Sequence, residues 1–183
     1  VAARPADRIR IAREDPGAAD VIALLAAGEA HSASLHPAES NHHLDLDGLR
    51  AASVRFFVAR DEALHGLEPE ARPRLAGQAA RSGTALATAA IVLYDGWAEV
   101  KRMWVEPEAR GRGLSRRLLA ALEAEAAAQG IGLLRLETGI ASAEALGLYR
   151  SAGFVECPPF ADYRPDPNSV FMERRLPVPP GRG

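Results

Sequence analysis

Six consecutive residues carry the clearest chemistry in this sequence: Arg110-Gly111-Arg112-Gly113-Leu114-Ser115. An apolar run ending at Val105 precedes them, and a helical pattern beginning near Leu114 follows. Two glycines allow a tight turn whose N–H groups can approach a ligand closely. The start of a helix adds unpaired N–H donors and a partial positive charge. Such a junction suits a pyrophosphate, and Arg110, Arg112, Arg116 and Arg117 add formal positive charge around it. The chain has neither G-x-x-x-x-G-K-[ST] nor G-x-G-x-x-G with an acidic ribose partner, which argues against a nucleoside triphosphatase and a dinucleotide fold. No G-x-S-x-G is present to support a covalent acyl-enzyme.

Other residues invite chemistry less directly. Glu99 is a carboxylate within an apolar strand pattern, either a functional acid or one half of an ion pair with Lys101 or a neighbouring arginine. Glu137, in L-L-R-L-E-T, is a second such carboxylate. His36, His42 and His43 lack the helical ligand spacing and the Cys or carboxylate frame of a metal site, so no metal is expected. Cys157 is the only cysteine, which excludes an intrachain disulfide and fits a reducing compartment. The net charge of −2 implies no broad basic surface for nucleic acid. V-A-A-R-P-A-D-R lacks the apolar core of a secretory leader, and no apolar run reaches membrane-spanning length. The expectation is a soluble cytoplasmic protein.

The elements that must position these residues follow from periodicity and punctuation. Arg8–Arg13 alternates like a half-buried strand. Ala18–Ala27 reads as a helix with Val21, Ile22, Leu24 and Leu25 inward, ended by Gly28, and Glu29–Leu35 as a second helical stretch. A polar loop carries the histidines, and Asp45–Ala51 is a short helix. Val54–Arg60 is a strand, residues 61–84 an extended surface loop, and Ala85–Tyr94 and Trp97–Val105 a hairpin closed by Asp95-Gly96. A helix over Leu114–Gln129 leads into an apolar strand, Leu133–Thr138, parallel to the strand before it. Ser142 caps a helix through Ser151, and short strands at Phe154–Cys157 and Ser169–Leu176 complete the chain. The order is β-α-α-β-β-β-α-β-α-β-β, an α+β fold of three layers (α/β/α) with a mixed central sheet of about six to seven strands flanked by helices. One domain is expected over residues 8–176, with a disordered lead-in at 1–7 and a tail at 177–183.

Two motifs add a resemblance. Arg110-x-x-Gly113-x-Ser115 resembles the coenzyme A signature of the GNAT (GCN5-related) N-acetyltransferase superfamily, Arg/Gln-x-x-Gly-x-Gly/Ala, with Ser in the last place. Leu148-Tyr149-Arg150-Ser151-Ala152-Gly153-Phe154 resembles its second signature, L-Y-x-x-x-G-F, and the element order is similar over residues 8–176. The resemblance implies acetyl-CoA as co-substrate and direct attack by an amine in a ternary complex. It implies coenzyme contacts from Met103, Val105, Arg110, Gly111, Arg112, Gly113, Leu114 and Ser115, and Tyr149 as general acid beside the coenzyme sulfur. It also implies that the strand ending at Val105 splays from its neighbour and frees a backbone N–H among Met103–Val105 for the thioester carbonyl.

Glu99 corresponds in position to the catalytic glutamate of the family's histone-acetylating members, and alternation places it on one face with Lys101, Met103 and Val105. Glu137 is a second candidate base or acceptor contact. In the family the first helix–loop–helix walls the acceptor pocket, which makes Asn41, His42 and His43 candidates for substrate contact. Phe160, Tyr163 and Ser169 border the acceptor side. The partner implied is a small-molecule or peptide amine, with no nucleic acid or membrane, and a homodimer is a common assembly. Two other readings share the fold: a non-catalytic coenzyme A sensor or partner-binding module, and an acyltransferase using another acyl-CoA.

Overall fold

Val54–Asp61 and Thr84–Leu93 are almost wholly buried, because both faces of these strands are covered. They are interior strands of the sheet in a computed structural model, which describes residues 8–35, 43–62 and 83–177. In chain order the strands are β1 (Ile9–Arg13), β2 (Val54–Asp61), β3 (Thr84–Leu93), β4 (Ala98–Val105), β5 (Leu133–Gly139), β6 (Val155–Glu156) and β7 (Ser169–Arg175). The helices are α1 (Ala19–Leu35), α2 (Leu46–Leu49), α3 (Leu114–Ala128) and α4 (Ala143–Ser151). The spatial order of the sheet is β1-β2-β3-β4-β5-β7-β6. Among the described residues only β4 and β5 run parallel, joined by the crossover helix α3; the other pairs are antiparallel.

Two apolar layers hold the helices to the sheet. Leu114, Leu118, Leu119 and Leu122 recur at helical spacing and seat α3 on one face, where Leu146 and Tyr149 of α4 join them. Val21, Leu24 and Leu25 of α1 and Leu49 of α2 cover the other face. Burying each such leucine stabilises the fold by about 1.5–3 kcal/mol. Arg60, 1% exposed, fastens the end of β2 to the start of α1 through Glu14 at 2.8 Å and Asp20 at 2.5 Å.

Several boundaries differ from the expected ones for identifiable reasons. α1 is one helix of 17 residues and passes through Gly28 rather than stopping there. Gly28 marks a close approach: a Cβ added to it would stand 3.2 Å from Cγ of Trp104. Ile22, expected inward, is 44% exposed, whereas Val21, Leu24 and Leu25 are buried. Asp61 and Thr84 belong to strands rather than to the long loop. The remainder of that loop, residues 63–82, lies outside the described residues, as do the lead-in, His36, Asn41, His42 and most of the tail. Among the described residues no helix is long and apolar enough to cross a membrane.

Candidate active site

β4 is paired with β3 along its length but with β5 only across Ala98–Val100, opposite Leu134–Leu136. Beyond Val100 the strands part, because β5 stays bound to β7 as far as Gly139 while β4 continues to Val105. The gap opens a cavity of about 660 Å³. Residues 100–105 of β4 line it, with the glycine turn and the start of α4 on one side and α1, His43 and Leu44 on the other.

An extra residue in β4 shapes the wall. On β3 the pairs Thr88↔Trp104 and Ala90↔Lys101 set two steps against three, so β4 bulges near Arg102. Arg102 has φ 56°, rare for a residue with a side chain. Glu106 N–H donates to Leu86 O at 2.9 Å. Strand alternation then directs the N–H groups of Val105 and Met103 away from β3, into the gap that β5 has left. The bulge also corrects the expected alternation. Met103 and Val105 pack with the α3/α4 core beside Ala98 and Val100, and so lie on the face opposite Glu99 and Lys101.

At the turn, Gly111 and Gly113 have φ of 75° and 72°, and a Cβ on either would meet no atom within 4 Å. Gly113 caps α3 without a side-chain bond, and the first helix turn holds no acidic residue. Leu114, Ser115 and Arg110 line the cavity with the two glycines. The Arg110 guanidinium lies 5.4 Å from the Trp104 ring and 3.2 Å from Glu144. The other three arginines are committed elsewhere. Arg112 pairs with Asp61 at 2.6 Å, Arg116 reaches Ser151 at 3.4 Å, and Arg117 donates to Ile9 O at 2.9 Å. Of the four arginines named with the turn, Arg110 alone lines the cavity.

Tyr149, on α4, is 5% exposed, stacks edge-on against Phe154 at 5.6 Å and lines the cavity. Its hydroxyl makes no hydrogen bond among the described residues. Burial first, and the nearby Glu137 carboxylate second, push its ionisation well above the usual tyrosine range. Glu137 also lines the cavity and accepts a 2.6 Å hydrogen bond from Ser169 Oγ.

Glu99 lies in a different environment. It is 2% exposed and faces a second cavity of about 640 Å³, between β4 and residues 161–168. Oε1 accepts from Tyr163 OH at 2.5 Å and pairs with Lys101 Nζ at 2.9 Å, while Oε2 accepts from Tyr94 OH at 3.4 Å. Lys101 Nζ also donates to Tyr163 at 2.6 Å. Burial and then the Glu99 charge raise the ionisation of Tyr163 far above its usual range, and Tyr94 is raised for the same reasons. Lys101 lines both cavities and so stands where they meet. Tyr94, His31 and Arg102 are the residues of this region that sequence reasoning passed over. Tyr94 was open to detection, because the hairpin that pairs Leu93 with Ala98 also brings it to Glu99.

The residues 40–154 match the family model described as Acetyltransferase (GNAT) family. The chain belongs to that family of acetyltransferases. It is 42% identical over 170 residues to an IAA acetyltransferase of Azospirillum brasilense, a match covering 92% of this chain and 98% of the relative. It is 36% identical over 149 residues to an uncharacterized N-acetyltransferase, YsnE, of Bacillus subtilis, covering 80% and 86%. A Klebsiella pneumoniae crystal structure, provisionally assigned as an acyl-CoA N-acyltransferase, is 34% identical with a TM-score of 0.69, covering 92% of this chain and 97% of that one.

Proposed function

We propose that the protein transfers the acetyl group of acetyl-CoA to a primary amine of a small molecule or peptide, by direct attack in a ternary complex. The parting of β4 from β5 carries the reading. It leaves outward-directed N–H groups at Met103 and Val105, with the open glycine turn and the unpartnered Tyr149 hydroxyl on the same cavity. Family membership and the relatives named as acetyltransferases support the group transferred.

The residues fit the co-substrate on their own chemistry. Gly111 and Gly113 leave a cradle that any side chain would fill, and the first turn of α3 offers N–H groups to a pyrophosphate. The turn residues Arg110–Ser115 would bind it, Arg110 with its charge and Arg112 with its backbone. Met103 and Val105 N–H groups would donate to the oxyanion that develops as the amine attacks. The new bond is C–N and the bond broken is C–S. Tyr149 stays protonated at neutral pH and would give its proton to the leaving thiolate. Glu99, through Lys101 and Tyr163, would receive the proton lost by the amine and pass it to solvent through the second cavity. His43, with Asn41, His42 and Glu137, would contact the acceptor.

Thiol release from acetyl-CoA across small amines, peptides and aminoglycosides tests the reading. Release is expected with one amine class, and Tyr149→Phe should lower kcat about a hundredfold with little change in acetyl-CoA affinity. An unaltered rate in that variant would remove the general-acid role. Acetyl-CoA binding with no turnover on any amine would point instead to a sensor.

A further inference from the structure

Arg102 occupies a place that an arginine fills at a cost. Its backbone is left-handed, a conformation suited to glycine or asparagine. Its side chain is 6% exposed, and its Nε is buried without a hydrogen-bond partner. A residue kept under both burdens calls for a compensating role.

Its contacts indicate one. Nη1 donates to Glu29 Oε1 of α1 at 2.6 Å, and Nη2 donates to the carbonyl of Leu44, just before α2. Its own carbonyl accepts from the fully buried Thr88 Oγ1 at 3.0 Å, which fixes the bulge against β3. His31, Leu44 and Thr88 line the same cavity as Met103 and Val105. One side chain therefore ties the helices on the acceptor side of the cleft to the residue immediately before the outward-directed Met103 N–H. We infer that Arg102 is a positioning residue: it couples the seating of α1 and Leu44 to the aim of the β4 N–H groups at the reacting carbonyl. The inference rests on the reading of the cleft given above. A misaimed donor weakens every reaction at that carbonyl, whatever the nucleophile, whereas damage to the acceptor wall weakens only transfer.

Arg102→Gly is the discriminating variant, because glycine keeps the left-handed backbone while removing the tether. Glu29→Gln, at a residue whose side chain is 47% exposed, is a second variant that spares folding. Three quantities are measured on each: acetyl-CoA affinity by calorimetry, kcat for amine transfer, and the acceptor-free hydrolysis of acetyl-CoA. For Arg102→Gly the expected result is affinity within about twofold of wild type, with kcat and hydrolysis both lower by about tenfold. Glu29→Gln should show a smaller effect of the same pattern, and Arg102→Lys should recover part of the loss. Hydrolysis and kcat unchanged in Arg102→Gly would overturn the inference, as would a loss confined to transfer. If the wild-type protein hydrolyses acetyl-CoA but acetylates no amine, the acceptor assignment falls; an Arg102-dependent hydrolysis rate would still support the positioning role.

Discussion

Gly113→Ala separates stability from binding at the glycine turn. Gly113 caps α3 at φ 72°, and a Cβ there meets nothing within 4 Å. An alanine has room in the folded protein, so its cost is confined to the left-handed backbone, about 1–2 kcal/mol. For a chain of this size that lowers Tm by about 2–8 °C. Gly147 supplies the control. It is exposed within α4, and its Cβ also meets nothing within 4 Å. Gly147→Ala should therefore stabilise by about 0.5–1 kcal/mol, through better helix propensity and a less flexible unfolded chain.

Binding should rank the two alanines quite differently. If the turn binds the pyrophosphate as proposed, the methyl of Gly113→Ala would enter the space it needs, and acetyl-CoA affinity should fall at least about tenfold, or about 1.4 kcal/mol. Gly147→Ala should leave it unchanged. Gly113→Glu adds a carboxylate facing the pyrophosphate and should abolish measurable binding. Thermal unfolding and calorimetric titration with acetyl-CoA give both quantities on the same samples. Unchanged affinity in Gly113→Glu would remove the pyrophosphate from this turn. A Tm loss in Gly113→Ala well beyond the backbone cost would refute the claim that the site is open.

Two further outcomes follow from buried ionisable groups. Tyr149 has its folded ionisation raised by burial, so the folded state holds its proton where the unfolded chain releases it. Stability from this group is complete below about pH 10 and is lost as pH rises above that value; Tyr149→Phe should show a shallower alkaline fall in denaturation midpoint, and an identical fall would contradict it. Glu99→Gln keeps the shape but leaves the Lys101 ammonium, 2.9 Å away, without its counter-charge. We expect a loss of about 3–5 kcal/mol in urea unfolding and a lower kcat; a wild-type kcat would remove Glu99 from the proton path.

The parts of this protein legible in its sequence are those set by local rules. The glycine turn, the Asp95-Gly96 hairpin and the leucine face of α3 are each fixed by residues a few positions apart, and each lies where the spacing predicts. Gly28 reads as a helix stop by the same rules, yet it lies inside α1 because Trp104, far along the chain, needs the space a Cβ would take. Lys101 beside Glu99 is a short-range pairing open to inspection. Tyr163, which bonds the same carboxylate, comes from a proline-rich segment with no periodicity, placed beside Glu99 by the pairing of β7 with β5.

The bulge at Arg102 has the widest consequence and the faintest sequence signal, since nothing local announces a left-handed arginine. Without it, Glu99, Lys101, Met103 and Val105 would share one face of a regular strand. With one residue added, Glu99 and Lys101 face the second cavity, while Met103 and Val105 turn to the α3/α4 side, where the glycine turn lies. Direct transfer needs donors for the developing oxyanion and an exit for the amine's proton that do not compete for the same space. Under the proposed reading, a strand that changes face midway, beside a neighbour that has already parted from it, would aim its N–H groups at the carbonyl from the first cavity while Glu99 and Lys101 lead the amine's proton to the second. Lys101, which lines both cavities, is the side chain through which that proton would pass from one to the other.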